Sequence, residues 1–351
     1  MPISVNTLTN LPMSQSTFLT GATGFIGSAV ARTLIDKGHK LRVLVRPNNS
    51  RHNLHGLDVE MIEGDLTKPE TYRDALQGCQ NLFHVAADYR LWVPDADYMY
   101  RVNKVGTRAL MQAALDAGIK RIVYTSSVAT MGQNHSDMLA NEETSVTFGD
   151  MVGAYKQSKY LAEQEVLNMV KHDQLPAVIV NPTTPLGPRD IKPTPTGRII
   201  ADAIHGRIPA YVDTGLNIVH VDDVAQGHWM AFEHGKIGER YILGGENLAL
   251  SEILRLIAEI DGHPVPKIKL CCQAIYPVAL CMALAARITG REPRVSLDAL
   301  KMARHKMYFS SSKAQQALGY NPRPAHLAIK DAVAWFQVEG SINKKPCIPV
   351  N

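Results

Sequence analysis

The sequence predicts an α/β protein: a doubly wound parallel sheet with a smaller, discontinuous C-terminal lobe. Three observations predict it. Thr20-Gly21-Ala22-Thr23-Gly24-Phe25-Ile26-Gly27 sets three glycines between a short apolar strand, Phe18–Leu19, and a helical run from Ser28 to Lys37. Apolar, β-branched runs then recur at Leu41–Val45, Val59–Ile62, Asn81–Val85, Ile119–Tyr124 and Ala177–Val180 with helical stretches between most of them, the alternation of a parallel sheet. Finally, prolines at 182, 185, 188, 193 and 195 make a stiff stretch that leaves this core and walls one side of a cleft.

Residues 1–15 carry no Lys or Arg and no apolar run of signal-peptide length, and are expected to be a disordered lead-in. The glycine turn follows. A tight strand-to-helix turn lets backbone N–H groups approach a pyrophosphate, and the helix N-terminus adds partial positive charge. Gly21, Thr23, Gly24, Phe25, Ile26 and Gly27 are therefore expected to hold a dinucleotide. The Gly-x-x-Gly-x-x-Gly spacing departs from the commoner Gly-x-Gly-x-x-Gly, so an ordinary strand-to-helix turn stays open at this point.

Composition narrows the partners. With 45% hydrophobic and 20% charged residues, the 351-residue chain has an ordinary globular make-up. Its net charge of +4 contains no run of five basic residues, which argues against nucleic acid and for small-molecule chemistry. Cysteines at 79, 271, 272, 281 and 347 form no C-x-x-C pair, so neither a disulfide framework nor a zinc site is expected and the location reads as reducing and cytoplasmic.

Ligands of such sheets bind at the C-terminal ends of the strands. After the second strand, where an acid would take a ribose 2′-hydroxyl, the chain has Arg46, whose planar fork suits a 2′-phosphate and favours NADP(H) over NAD(H). A solvated arginine is the alternative. Asp65 and Leu66 follow the third strand, with Asp65 placed to accept from an adenine amino group or else to cap a helix. Ala86 and Ala87 follow the fourth strand, where small side chains let a dinucleotide lie against the backbone.

Tyr124-Thr125-Ser126-Ser127 closes the fifth strand and Tyr155-Lys156-Gln157-Ser158-Lys159 opens a helix beyond it. A tyrosine and lysine four apart share a helical face, so the ammonium is expected to stabilise a phenolate and lower the Tyr155 pKa. A serine hydroxyl opposite would complete a pocket for a carbonyl or alcohol oxygen. Tyr100 and Lys104 match the same spacing, but they precede the serine strand and lack a serine partner in order.

In the second half, Tyr241–Gly245 reads as a strand and Ser251 as the N-cap of a helix to Asp261. Leu270–Ala286 is the most lipid-like stretch but is short for a spanning helix, which needs about 20 apolar residues. It is expected to be a buried core helix, the alternative being a substrate lip or interfacial helix. His220 stands in no metal-ligand spacing, and no metal is expected.

Through Thr20–Gly27, Gly64-Asp65-Leu66, Asn103, Ser127, Tyr155 and Lys159, the chain from about Thr17 to Phe336 resembles the extended short-chain dehydrogenase/reductases, with their Rossmann-type sheet. His84–Trp92, Asn181–Asp190 and Ile191–Arg198 narrow the resemblance to the dihydroflavonol-reductase-like branch, and most closely to hopanoid-associated sugar epimerases. The resemblance implies Tyr155 as acid/base, Lys159 on the nicotinamide ribose, Ser127 orienting the substrate oxygen, and Asn103 holding helix and proton relay, a cap or turn residue being the alternative for Asn103. It adds Pro182 to the cofactor contacts. It also implies a dinucleotide-binding domain over 16–185, return segments near 217–235 through Val219–Val224, and a substrate lobe over 186–340. Nucleotide-sugar epimerases usually carry Tyr-Gly after the serine strand and Pro before the tyrosine, where this chain has Met131-Gly132 and Ala154. The expected activity is thus NADP(H)-dependent reduction of an aldehyde or ketone on a small or lipid-linked substrate in hopanoid side-chain synthesis. A sugar epimerase and a non-catalytic cofactor sensor are the alternatives. A homodimer, touching the inner face of a membrane, is expected.

Overall fold

The computed structural model describes residues 16–93, 95–132, 139–289 and 297–342, and the expected lead-in over 1–15 lies outside them. Strand β1 (Ser16–Thr20) runs into α1 (Phe25–Asp36), followed by β2 (Lys40–Val45), β3 (Val59–Glu63) and β4 (Asn81–His84). Helix α2 (Ala96–Tyr100) continues through a π-helical segment, Arg101–Gly106, into α3 (Thr107–Asp116). Then come β5 (Arg121–Thr125), α4 (Gly153–Asp173) and β6 (Ala177–Pro182). The later chain forms β7 (Thr184–Leu186), α5 (Pro195–Ile204), β8 (Ala210–Val212), β9 (Gly215–His220), α6 (Val221–His234), β10 (Arg240–Leu243), β11 (Glu246–Ala249) and α7 (Leu250–Asp261). It ends with β12 (Ile268–Leu270), α8 (Cys272–Thr289), α9 (Leu297–Met302), α10 (Ser312–Leu318) and α11 (Ala325–Ile342).

The main sheet has seven strands in the order β10-β6-β5-β4-β1-β2-β3, every pairing parallel. Its inner strands are apolar on both faces because helices cover both, whereas the edge strand β3 carries Glu60 and Glu63 and is largely exposed. The period of two sorts the side chains. Phe18, Leu82, Ile122 and Ile179 pack on the side of α3 and α4, while Leu19, Phe83, Val123 and Val178 pack on the side of α1 and α6. Each such side chain contributes about 1.5–3 kcal/mol through burial. Register aligns Thr20 with His84 and His84 with Tyr124, so the C-terminal strand ends form one rim, with the order reversing between β1 and β4. The glycine turn sits at that reversal, where ligands of open α/β sheets bind.

Several expectations are corrected. Helix α1 starts at Phe25, three residues before Ser28, because Gly24 itself is the N-cap. The proline-rich stretch is not wholly loop, since β7 within it pairs with β9 in a separate three-stranded sheet with β11. The return to the core extends past 217–235: β10 joins the main sheet, and Ala314, Leu318 and Tyr320 pack with α1 and α6. Ser251 lies inside α7. The N-cap is Ala249, whose N–H donates to Glu252 Oε2 at 2.7 Å, because the Leu250 N–H is taken by Thr214 O and the helix starts there. Helix α8 is not a core helix: of its described side chains only Ala279 and Ala286 are buried, as it packs on the short α9.

Candidate active site

The glycine turn is built for close approach. Gly21 has φ +80°, and a Cβ there would meet Ala86 N at 2.6 Å, so the turn lies against the end of β4 as the small Ala86 and Ala87 suggest. A Cβ at Gly27 would stand 2.0 Å from Gly21 O, which excludes any side chain. No side chain caps α1 at Gly24. Its first N–H groups have no intrahelical acceptor, and with the dipole they make an anion site at the sheet reversal. Phe25 is buried in the core behind the turn and Ile26 packs partly against it. These features fit a dinucleotide.

Sequence reasoning missed the clamp on this turn. Asn53, buried, donates through Nδ2 to Thr23 O at 3.2 Å, Gly24 O at 3.4 Å and Arg189 O at 3.1 Å, tying the chain after β2 and the chain after β7 to the turn. Asn49 Nδ2 reaches Thr23 Oγ1 at 3.5 Å. Between β2 and these contacts stands Arg46, its side chain exposed and making no hydrogen bond or ion pair among the described residues. Asp65 caps no helix; its Oδ1 accepts from Thr67 N and Oγ1 at 2.8 and 2.7 Å, a local turn after β3. The Leu66 side chain is buried in the core, leaving only its main chain at the rim, and Pro182 is buried at the end of β6 in register with Leu243.

Ser127, Tyr155 and Lys159 come together beyond β5. Gly153 takes φ +79° to turn the chain into α4, which presents Tyr155 and Lys159 one turn apart. Ser127 Oγ accepts from Ala129 N at 3.1 Å, which leaves its own hydrogen to donate, and it interacts with the Tyr155 phenol. Burial raises the Tyr155 pKa and the Ser127 contact only partly opposes this, which corrects the expected lowering. The reason is that the Lys159 ammonium is directed elsewhere, to Thr125 O at 2.9 Å and Tyr124 Oη at 3.3 Å. Burial brings Lys159 down to about 8, with Glu163 pulling upward. His84, held by Thr20 Oγ1 at 2.7 Å and Thr107 Oγ1 at 2.9 Å, is pushed by burial, and secondarily by Lys159, down to about 3 and is neutral. The second Tyr-x-x-x-Lys match is engaged otherwise: Tyr100 Oη donates to Gln157 Oε1 at 2.6 Å.

Asn103 is buried in the π-helical segment, a distortion frequent at functional sites. Its Nδ2 donates to Asp88 O at 2.9 Å and Ser158 Oγ at 3.0 Å while its Oδ1 accepts from Asp88 N at 2.7 Å. It therefore joins the chain after β4 to α4 at Ser158, the residue before Lys159.

Glu163, one turn past Lys159 and fully buried, was not singled out in the sequence. It accepts from Thr130 Oγ1 at 2.9 Å, Asn181 Nδ2 at 2.8 Å and Arg240 Nη1 at 3.3 Å. The single Thr130 hydroxyl hydrogen is shared between this carboxylate and Ser127 O, 2.7 Å away, and Asn181 Nδ2 also donates to Ser127 O at 3.1 Å. One buried carboxylate thus supports the main chain of Ser127 and the charge of Lys159. His220 is a cap rather than a ligand: Nδ1 accepts from Asp222 N at 3.0 Å and Nε2 faces Asp331 Oδ2 at 3.1 Å.

Residues 17–244 match the model of the NAD dependent epimerase/dehydratase family. A protein of Synechocystis sp., provisionally named a dihydroflavonol 4-reductase, is 44% identical over 95% of this chain and 97% of its own. Sterol demethylase protein B of Methylococcus capsulatus is 34% identical over 93% of this chain and 100% of its own. The crystal structure of gox2253 superposes with a TM-score of 0.84 at 55% identity, covering 93% of this chain and 99% of the other.

Proposed function

The chain belongs to the NAD-dependent epimerase/dehydratase family and is an NAD(P)-dependent oxidoreductase or epimerase; within that range we propose an NADP(H)-dependent reductase of an aldehyde or ketone on an apolar, hopanoid-type polycyclic lipid. The observation that carries the reading is the meeting of Ser127, Tyr155 and Lys159 beyond β5, which sets a phenol where it can hand a proton to a carbonyl oxygen. Met131 and Ala154, at the positions where nucleotide-sugar epimerases usually carry Tyr and Pro, favour the reductase over the epimerase.

Bound at the glycine turn, the nicotinamide cofactor supplies the hydride. Ser127 donates a hydrogen bond to the substrate oxygen and orients it, and Tyr155 delivers the proton to that oxygen. Lys159, cationic below about pH 8, is held by Thr125 O and Tyr124 Oη one turn along α4, and adds positive charge to the pocket in which the phenolate is left. Asn103 keeps α4 in place through Ser158. Arg46, exposed and with no side-chain partner among the described residues, supports a 2′-phosphate partner. The lipid class is supported by the 34% identical relative named for a sterol, and the reductase class by the relative named for dihydroflavonol reduction.

The test is stoichiometry. Incubation with a polycyclic-lipid aldehyde and NADPH is expected to consume one cofactor per product, with a mass gain of two hydrogens, and Tyr155→Phe to abolish turnover while cofactor binding persists. A product of unchanged mass formed at constant NADPH would replace the reductase with an epimerase. Turnover by Tyr155→Phe near the wild-type rate would remove Tyr155 from the mechanism.

A further inference from the structure

A surface helix normally turns an apolar stripe inward and a charged face outward. Helix α8 does not. Its inner side is Ile275, Ala279, Met282, Ala283 and Ala286, all buried or half-buried, yet its outer side shows Tyr276, Pro277, Val278, Leu280 and Cys281, all exposed. From Cys272 to Ala286 the sequence has no charged residue. The preceding strand β12 adds exposed Ile268 and Leu270, and Val265 stands beside it. Of the 14 large hydrophobic side chains exposed among the described residues, six lie between 265 and 280. Concentrated apolar exposure of this kind marks an interaction site.

Charge says which partner. Residues 262–289 and 297–306 carry Lys267, Lys269, Arg287, Lys301, Arg304 and Lys306 against one acid, Asp298, although the whole chain is nearly balanced at 37 basic and 33 acidic residues. Lys267, Lys301, Arg304 and Lys306 are exposed. Lys269 is paired with Asp213 at 2.8 Å and is not counted on. Lys306 also stands over the Tyr308 ring, at 5.8 Å. An uncharged helical face with exposed cations on the neighbouring elements is the pattern of an interfacial helix on anionic lipid, and it would be poorly matched to a second copy of itself, which brings the same positive charge.

The lobe also borders the active site. A Cβ on Gly153, the residue that starts α4, would stand 2.7 Å from Asp298 Oδ2 of α9. Helix α9 is the element on which α8 packs. We propose that the outer face of α8, with β12 and the cations of α9 and the chain after it, is a docking surface for the anionic face of a lipid bilayer. It seats the lobe beside Tyr155 on the membrane. No helix among the described residues is long and apolar enough to cross a membrane, so the attachment is peripheral. The proposal stands on the surface alone and does not depend on the direction or class of the reaction.

The test is sedimentation of the full chain with vesicles of phosphatidylcholine alone or mixed with one-third phosphatidylglycerol. Binding is expected on the mixed vesicles, weaker by about tenfold on the neutral ones and reversed in roughly 0.5 M salt, as electrostatic anchoring is screened. Two variants separate the components: Tyr276→Gln with Leu280→Gln, and Lys301→Glu with Arg304→Glu. Each is expected to cut binding about tenfold while NADPH binding and circular dichroism stay as in the wild type. The charge pair removes no apolar contact and so guards against a folding defect in the first. Equal sedimentation with neutral and mixed vesicles, no sedimentation with either, or variants that bind like the wild type would each overturn the proposal. So would a wild-type dimer in solution that Tyr276→Gln with Leu280→Gln converts to a monomer, since a second copy would then cover the face.

Discussion

Glu163→Gln keeps the shape of a fully buried side chain and removes its charge. The carboxylate takes three hydrogen bonds, from Thr130, Asn181 and Arg240, and the Arg240 partner is a quarter exposed at 25%. Removing one partner of a buried ion pair costs about 3–5 kcal/mol. Water reaches Arg240, and the glutamine carbonyl still accepts one bond, so a loss of about 2–3 kcal/mol is expected. Urea unfolding followed by tryptophan fluorescence measures it, and Arg240→Met added to Glu163→Gln should recover part of the loss, because both charges are then gone. The same change reaches the chemistry. Glu163 raises the Lys159 pKa against burial, and the proposed mechanism uses the Lys159 cation, so kcat/KM should fall as pH rises through about 8 in the wild type. Without the anion that alkaline limb moves to lower pH. A loss under about 1 kcal/mol, losses that simply add in the double variant, or an unmoved alkaline limb would refute the reasoning.

Two further outcomes follow from the cofactor cradle. Arg46→Asp should weaken NADPH and improve NADH, shifting the ratio of the two dissociation constants by about tenfold or more, since it sets a repelling charge where a phosphate partner is proposed; an unchanged ratio in fluorescence titrations would mean that Arg46 takes no part. Asn53→Ala removes the three contacts that hold the glycine turn and should cost about 1–2 kcal/mol of stability. It should also raise the dissociation constant for either cofactor alike, and normal binding by calorimetry would count against the clamp.

The main sheet and the Ser127–Tyr155–Lys159 cluster were legible because each is written locally: a glycine spacing, a period of two, a tyrosine and lysine four apart. The supports were not. Glu163 stands four residues beyond Lys159, but an acid on a helix ordinarily faces water, and its burial depends on Arg240, 77 positions later. Asn53 is an unremarkable polar residue until the fold brings Arg189 to it from 136 positions away. The direction of the Tyr155 shift is not legible in the sequence, because spacing shows that Lys159 is near without showing that Thr125 and Tyr124 hold its ammonium. Apolar density in 270–286 reads as core from composition alone. Which side of a helix faces the body is decided by neighbours, and α9 offers α8 only a narrow seat.

The main sheet is finished by β10, which lies beyond the first part of the second lobe in the chain and pairs with β6 from Arg240 to Leu243. During synthesis the hydrogen-bonding edge of β6, with Val178, Ile179 and Val180 along it, therefore stays bare until that later strand has emerged. Helix α10 and Tyr320 close over the same side later still. A bare, apolar strand edge templates pairing with other chains. The nascent protein thus passes through a stage in which that edge is open to other chains, and a fragment ending within the proline-rich stretch, at the apparent end of the first domain, would retain the edge permanently and is expected to aggregate.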